Sequence, residues 1–271
     1  MKIVTTSEQT LAEPSVLVDV GAGAVWITLN RPAAMNSITP DMVAGINAAL
    51  ARADDPAIKA VVLRGTGHAF CAGADLKYVK SSTQGDEAAT ARFLDTVLDM
   101  MTRLENCPRP VIAAVNGLAL AGGLELVLCC DLVIAARSAK IGDAHANFGL
   151  LPGGGSSVRL PRKIGPTRAK YLLFTGDFVP ADELVACGLV NEVVDDSELT
   201  AAVERLVAKL GSKSSLVLRR MKALVADGLE QPKDVALRLE LLASELHAHS
   251  HDMKEGLAAF EAKRKPSFIG R

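Results

Sequence analysis

At 271 residues, 49% of them apolar and with a formal net charge of −1, the chain is long enough for one large core and too evenly charged to hold nucleic acid or a membrane surface by bulk charge. Five cysteines, an odd number without a CxxC pair, point to a reducing compartment rather than a disulfide framework. The opening MKIVTTSEQTLAEP has no apolar core for a secretory signal and no arginine, and it carries Glu8 and Glu13, which speaks against a mitochondrial presequence; the expected location is the cytoplasm.

In chain order, Val16–Val20 and Ala24–Asn30 read as two strands joined by Gly21-Ala22-Gly23, a hairpin signal. Thr39 is placed as an N-cap before Pro40, predicting a helix to about Ala53. Lys59–Arg64 is a valine-rich strand, and Gly65, Gly67 and Gly73 make the next segment a loop with tight turns. The charged, small-residue stretch Ser81–Thr90 is expected to be mobile, and Ala91–Asn106 is helical by its apolar spacing.

Pro110–Ala136 is strongly apolar, but Asn116-Gly117, Gly122-Gly123, Glu125 and Asp131 interrupt it, whereas a membrane-spanning helix needs ~20 uninterrupted apolar residues. The spacing predicts a buried strand (Val111–Val115), a glycine-containing turn, a buried helix and a second strand (Leu132–Ala136). GLLPGGG over 149–155 cannot be regular structure. Helical patterns follow at Ser156–Ile164, Thr167–Thr175 and Ala181–Cys187, then a strand near Val190–Val194, then helix almost to the end, broken around Gly211 and Gly228–Pro232. Strands alternating with helices up to 195 and helices alone from 196 to 271 define an α/β fold with a helical C-terminal region.

Glu125, flanked by leucines in GGLELVLCC, is a carboxylate in an apolar block, where desolvation favours the protonated form and suits it to general acid or base work near neutrality. The alternative is a solvent-facing glutamate stabilising a helix N-terminus. TGHAFCAGADLK and NGLALAGGLE both put small residues where a loop meets a helix, so unpaired backbone N–H groups there can hold an oxyanion; the plain alternative is turn glycine. GLLPGGGS lacks the lysine and Ser/Thr of a phosphate-binding Walker loop, and no GxGxxG follows the first strand. His247, His249 and His251 form HxHxH, read as a solvated or interface face rather than a metal site, and His68 reads as a loop residue. His145 stands two residues after Asp143 and just before the GLLPGGG loop, and no GxSxG elbow is present.

LNRPAAMNSIT, AFCAGADLK, PVIAAVNGLALAGGLELVLCCDLVIA, LPGGGSSVRLPRKIG, LFTGD, ACGLVNEVV and EGLAAFEAKRKPSF run in order over about residues 14–268, and together they resemble the enoyl-CoA hydratase/isomerase (crotonase) superfamily. The resemblance implies a spiral of β-β-α units over 1–195, with a helical C-terminal region over 196–271 for trimerisation (trimers or paired trimers) and coenzyme A contact. It also implies a CoA thioester substrate, with CoA entering as part of that substrate and no separate cofactor or metal. Ala74 and Gly122 match the two backbone oxyanion donors. Arg31 and Ala72 match the region that holds the nucleotide, and Phe260 and Lys263 match positions that reach the CoA of a neighbouring subunit. Leu76, Tyr78, Val79 and the 81–90 stretch are expected to shape the acyl pocket.

Hydratases of the family use two glutamates; Glu125 matches one, and the other falls on His145, seven residues before Pro152. The expected function is hydration of a 2-enoyl-CoA with Glu125 and His145 sharing the water and the proton. The alternatives are isomerisation or another enolate reaction using a single acid–base group, or an acyl-CoA-binding protein without chemistry. Dehalogenase-like chemistry needs an aspartate near the PGGG loop, where Gly153, Gly154 and Gly155 stand instead.

Overall fold

A computed structural model describes residues 13–82, 86 and 88–271. The leader reading for residues 1–12, and the mobility and pocket expectations where they fall on 83–85 and 87, lie outside the described residues.

The chain builds two sheets in a spiral. β1 (Val16–Gly21) and β2 (Ala24–Leu29) form the expected antiparallel hairpin, followed by α1 (Pro40–Leu50), whose Thr39 hydroxyl accepts from the Met42 N–H. After that, strands come in pairs. β3 (Ala60–Gly65) is followed by β4 (Ala69–Cys71), then by the short α2 (Leu76–Ser82) and the long α3 (Ala89–Glu105). β5 (Val111–Val115) is followed by β6 (Leu118–Leu120) and α4 (Gly122–Leu128), and β7 (Leu132–Ala136) by β8 (Lys140–Gly142). The first strand of each pair joins a sheet of order β1-β2-β3-β5-β7-β10; the second joins a smaller sheet of order β4-β6-β8-β9. Two short helices, α5 (Ser156–Ile164) and α6 (Pro166–Thr175), precede β9 (Val179–Pro180) and β10 (Glu192–Val194). Each repeat thus climbs from the large sheet to the small one and returns through helix, which is the β-β-α spiral that the resemblance implied.

The large sheet is parallel from β2 to β10. Its inner strands are covered on both faces and so read as continuous apolar runs rather than alternations. Val61, Val62 and Leu63 of β3 and Val111, Ile112 and Ala113 of β5 are wholly buried. Each large side chain of this kind contributes roughly 1.5–3 kcal/mol by leaving water. α7 (Leu199–Gly211) lays its buried Leu199, Ala202, Val203 and Val207 over β3, β5 and β7. α8 (Ser215–Leu229), α9 (Lys233–Ala248) and α10 (His251–Glu261) follow, and α9 buries none of its residues within the protomer.

The chain returns at its end to brace this region. Asp252 accepts from the Ser214 hydroxyl (2.5 Å) and from the Ile269 and Gly270 N–H groups (both 2.9 Å). These bonds hold its carboxyl below the ordinary aspartate range, although burial alone pushes the other way. Among the described residues no helix is long and apolar enough to cross a membrane. The buried Cys71 and Cys129 thiols are pushed up to about 12 by burial, which makes them packing residues rather than nucleophiles.

Candidate active site

The small sheet delivers two loops to one place. β4 ends in the turn carrying Gly73 and Ala74, and β6 ends at Ala121, whose φ of 49° and ψ of −116° turn the chain into α4. An alanine there is strained by roughly 1–3 kcal/mol, a cost that recurs where backbone is aimed for function. Close contact requires the glycines that follow. A Cβ on Gly123 would stand 2.0 Å from the Cys71 carbonyl oxygen, and one on Gly122 would touch Gly73 Cα at 3.1 Å and the Ala74 nitrogen at 3.4 Å. The Ala74 and Gly122 nitrogens are therefore neighbours, and among the described residues neither N–H has a hydrogen-bond partner. Two adjacent, unpaired N–H groups, one of them at a helix N-terminus, form a preorganised site for an anionic oxygen.

The Ala74 loop is fixed from the side. Asp75 accepts from Arg31 Nη2 at 2.9 Å and the Ser37 hydroxyl at 3.3 Å, while its other oxygen accepts from the Lys77 and Tyr78 N–H groups and caps α2. Burial works to raise the Asp75 pKa, but these donors and the Arg31 charge together hold it below the ordinary carboxylate range.

Glu125 lies one turn into α4 and is 3% exposed, which settles the choice between a buried carboxylate and a solvent-facing one. Its Oε1 accepts from the Gly154 N–H at 2.8 Å and the Ser156 N–H at 3.0 Å. Gly154 permits this approach, because a Cβ there would stand 2.6 Å from Glu125 Oε2. The loop is held in turn by Arg159, which donates to the Gly154 carbonyl at 2.7 Å and grips Glu105. Burial pushes the Glu125 pKa up, against the pull of the two N–H groups and of nearby His145; Asp143 adds to the rise. Oε1 is thus occupied by backbone donors and Oε2 is left for chemistry.

His145 opens a short 3₁₀ turn, His145–Phe148, rather than sitting on a strand. Ala144, at φ 62° and ψ −16°, bends the chain in the left-handed region, which costs an L-residue roughly 1–2 kcal/mol. The bend brings His145 Nδ1 to 3.0 Å from Asp143 Oδ2, with Asp143 1% exposed. Two residues of separation along the chain do not by themselves require contact; the contact follows from the turn. Burial lowers the imidazole pKa, but the Asp143 hydrogen bond, the Asp143 charge and the Glu125 charge outweigh it and hold the value above the ordinary 6.5.

The remaining candidates are more dispersed. Arg31 and Tyr78 line one cleft of about 830 Å³ together with Thr39, Pro40 and Asp41, but the Arg31 guanidinium is already engaged by Asp75 and Ser37. The Ala72 N–H donates to the Met35 carbonyl at 3.0 Å. Leu76 is 47% exposed on α2, and Tyr78 meets Phe93 edge-on at 5.0 Å. Phe260 is 84% exposed on α10, and among the described residues Lys263 makes no ion pair. Arg159 and the Gly154 N–H were missed as site components. The arginine three residues after Ser156 in GGGSSVRL was the available signal, since a side chain one turn into a helix points back toward the helix N-terminus and the glycine loop before it.

Comparison with known proteins shows the family to which the chain belongs. The sequence profile of the family described as Enoyl-CoA hydratase/isomerase matches residues 19–271. A crotonyl-CoA hydratase of Syntrophomonas wolfei is 39% identical over 264 residues, covering 96% of this chain and all of the relative. A 1,2-epoxyphenylacetyl-CoA isomerase of Escherichia coli is 34% identical, covering 94% of this chain and 98% of that one. The crystal structure of an enoyl-CoA hydratase from Bacillus anthracis superposes with a TM-score of 0.89 at 36% identity, over 95% of this chain and all of the other. The chain is therefore an enzyme of the enoyl-CoA hydratase/isomerase family with the crotonase fold.

Proposed function

We propose that the protein hydrates a 2-enoyl-CoA, with the thioester oxygen bound between the Ala74 and Gly122 N–H groups. The observation that carries this reading is the pair of unpartnered N–H groups beside a buried carboxylate and a partly buried imidazole. Water adds through oxygen to Cβ while His145 Nε2 takes its proton. The C=C electron pair moves to the Cα–C1 bond, and the carbonyl pair moves to oxygen, where the two N–H groups stabilise it more than they stabilise the neutral carbonyl. Collapse of the enolate takes a proton at Cα from the protonated Glu125 carboxyl. His145 ends protonated and Glu125 ionised, and one proton passed back from His145 to Glu125 through solvent restores both. The raised Glu125 pKa supports its role as the acid.

Arg31 and Ala72 are assigned to the nucleotide end of CoA, Leu76 and Tyr78 to the acyl pocket, and Phe260 and Lys263 to the CoA of a neighbouring subunit. Residues 1–195 then form the catalytic unit, and 196–271 carry oligomerisation and CoA contact as a trimer or pair of trimers. The exposed Met221, Val225, Leu229, Leu241 and Leu246 of α8 and α9 support that assignment. The free thiols fit the cytoplasm.

The test is direct. Supplied with 2-enoyl-CoAs of graded chain length in deuterium oxide, the enzyme is expected to form 3-hydroxyacyl-CoA with one deuterium at Cα, and Glu125→Gln and His145→Gln are each expected to lose ~10²-fold or more in kcat. Conversion between 2- and 3-enoyl-CoA without water uptake would replace hydration by isomerisation, and loss of activity in Glu125→Gln alone would leave His145 as a pocket wall.

A further inference from the structure

We propose that Asp143 is a positioning residue for the reaction: it fixes His145 in the tautomer with hydrogen on Nδ1, so that Nε2 is the nitrogen that takes the proton from water. The inference rests on the acid–base reading of His145 above.

Three observations meet at this residue. Asp143 Oδ2 lies 3.0 Å from His145 Nδ1. A carboxylate only accepts hydrogen bonds, so the ring nitrogen facing it carries hydrogen and Nε2 keeps a lone pair. Asp143 is 1% exposed, and its second oxygen, Oδ1, is buried without a hydrogen-bond partner among the described residues. A residue there solely for stability would not leave a buried carboxylate oxygen unsatisfied, since each such group is costly and is usually paired. The contact is also made by the strained Ala144 backbone, not by regular secondary structure. Backbone strain of this type persists where the surrounding fold enforces a functional geometry.

The charged groups acting on the imidazole are Asp143 on its own turn and Glu125 on α4. As Nε2 gains the proton, the ring becomes a cation, and Asp143 stabilises that charge from the opposite edge. A carboxylate behind a histidine serves the same purpose wherever a histidine must act as a base in one orientation.

The decisive variant is Asp143→Asn, which keeps shape and volume while allowing an amide N–H to donate to Nδ1 and move the hydrogen to Nε2. Expected are a ~10²-fold or greater fall in kcat, KM within about threefold of wild type, an unchanged Tm or a higher one, and an acid limb of the kcat/KM profile moved to lower pH because the group that raised the imidazole pKa is gone. Placed in a His145→Gln background, Asp143→Asn should cause no further loss of kcat. Nitrogen-15 spectra of the wild-type enzyme should show neutral His145 with hydrogen on Nδ1, a readout that survives even if the variant fails to fold. Full kcat with an unmoved pH profile in Asp143→Asn, an additive loss in the double variant, or hydrogen on Nε2 would each overturn the proposal. Wild-type kcat in His145→Gln alone would instead overturn the underlying reading of His145 as base, so the two failures are distinguishable.

Discussion

Gly154→Ala probes how Glu125 is held. The backbone at 154 is not left-handed, so alanine adds no conformational strain and the effect is steric. The new methyl would stand 2.5 Å from Met101 Sδ, 2.6 Å from Glu125 Oε2 and 2.9 Å from Glu125 Cδ. Carbon contacts settle at ~3.5–4.0 Å, so each neighbour must move by about 1 Å. Met101 is wholly buried, but its thioether is pliant and can change rotamer. Glu125 has less freedom, because Oε1 is pinned by the Gly154 and Ser156 N–H groups at 2.8 and 3.0 Å. Overpacking of this size costs about 1–3 kcal/mol, or about 2–10 °C in Tm at this chain length. Misplacing a reacting group by ~1 Å costs ~10²-fold in rate. Since the atoms nearest the new methyl belong to Met101 and Glu125, the loss belongs in kcat, with KM changed less than about threefold. Initial rates of 2-enoyl-CoA hydration, taken well below the melting transition of the variant, measure this. Adding Met101→Ala makes room on the sulfur side and should recover stability without recovering kcat. A Gly154→Ala enzyme with lowered Tm and wild-type kcat would refute the claim that this glycine sets the position of Glu125.

Gly73→Ala attacks the oxyanion donors instead: at φ 97° its Cβ would stand 2.9 Å from Ala121 Cβ and 3.1 Å from the Gly122 nitrogen, and steady-state assays should show kcat down ~10²–10³-fold, as for loss of one donor. Glu125→Gln should abolish most turnover yet raise Tm at mildly alkaline pH. A folded-state pKa raised above 4.5 means that the native protein holds the proton more tightly than the unfolded chain, so stability falls as pH climbs from 4.5 through the raised value. Melting curves across pH should therefore show the advantage of the glutamine variant shrinking toward 4.5; an advantage independent of pH would contradict the assigned cause. Asn36, wholly buried at φ 55°, donates to the Thr66 and Ala69 carbonyls and accepts from the Arg31 N–H. Asn36→Ala should lower stability by about 2–4 kcal/mol in urea titration, because these backbone groups lose their partner together.

Long elements were legible because their apolar spacing is extended. The hairpin, the Thr39-capped helix, the strands at 111–115 and 132–136 and the helices after 197 all stand close to where periodicity put them. The strands of the small sheet were not legible: β4, β6 and β8 have three residues each, and β9 has two. A run that short has no measurable period, and it forms only because a neighbouring strand is already in place to pair with it. The Ala181–Cys187 helix contracts to a 3₁₀ turn at Ala181–Leu184, and the break between α9 and α10 at His249-Ser250 passed unseen, although Ser250 caps α10 through the Met253 N–H. Glu125 could be found from the leucines around it. The contact of Asp143 with His145 could not, since it depends on a positive φ at an alanine, for which sequence carries no signal.

The positions of strain connect the small sheet to the chemistry. Gly73 at φ 97° stands two residues after β4, Ala121 at φ 49° directly after β6, and Ala144 at φ 62° two residues after β8. Three consecutive repeats of the spiral therefore leave the same sheet through an unusual backbone turn. The turns present, in order, the Ala74 N–H, the Gly122 N–H with Glu125 one turn beyond it, and the Asp143–His145 pair. Regular strand or helix would have consumed these N–H groups in its own hydrogen bonds. Two of the three turns use alanine where glycine would be easier, at a combined cost of about 2–5 kcal/mol. Glycine at 121 or 144 would relieve the strain but allow each loop other conformations, which would release the donors and the imidazole from the geometry the reaction needs. The buried valines and leucines of the large sheet offset that cost, and they lie far enough from the turns in sequence to be chosen for packing alone.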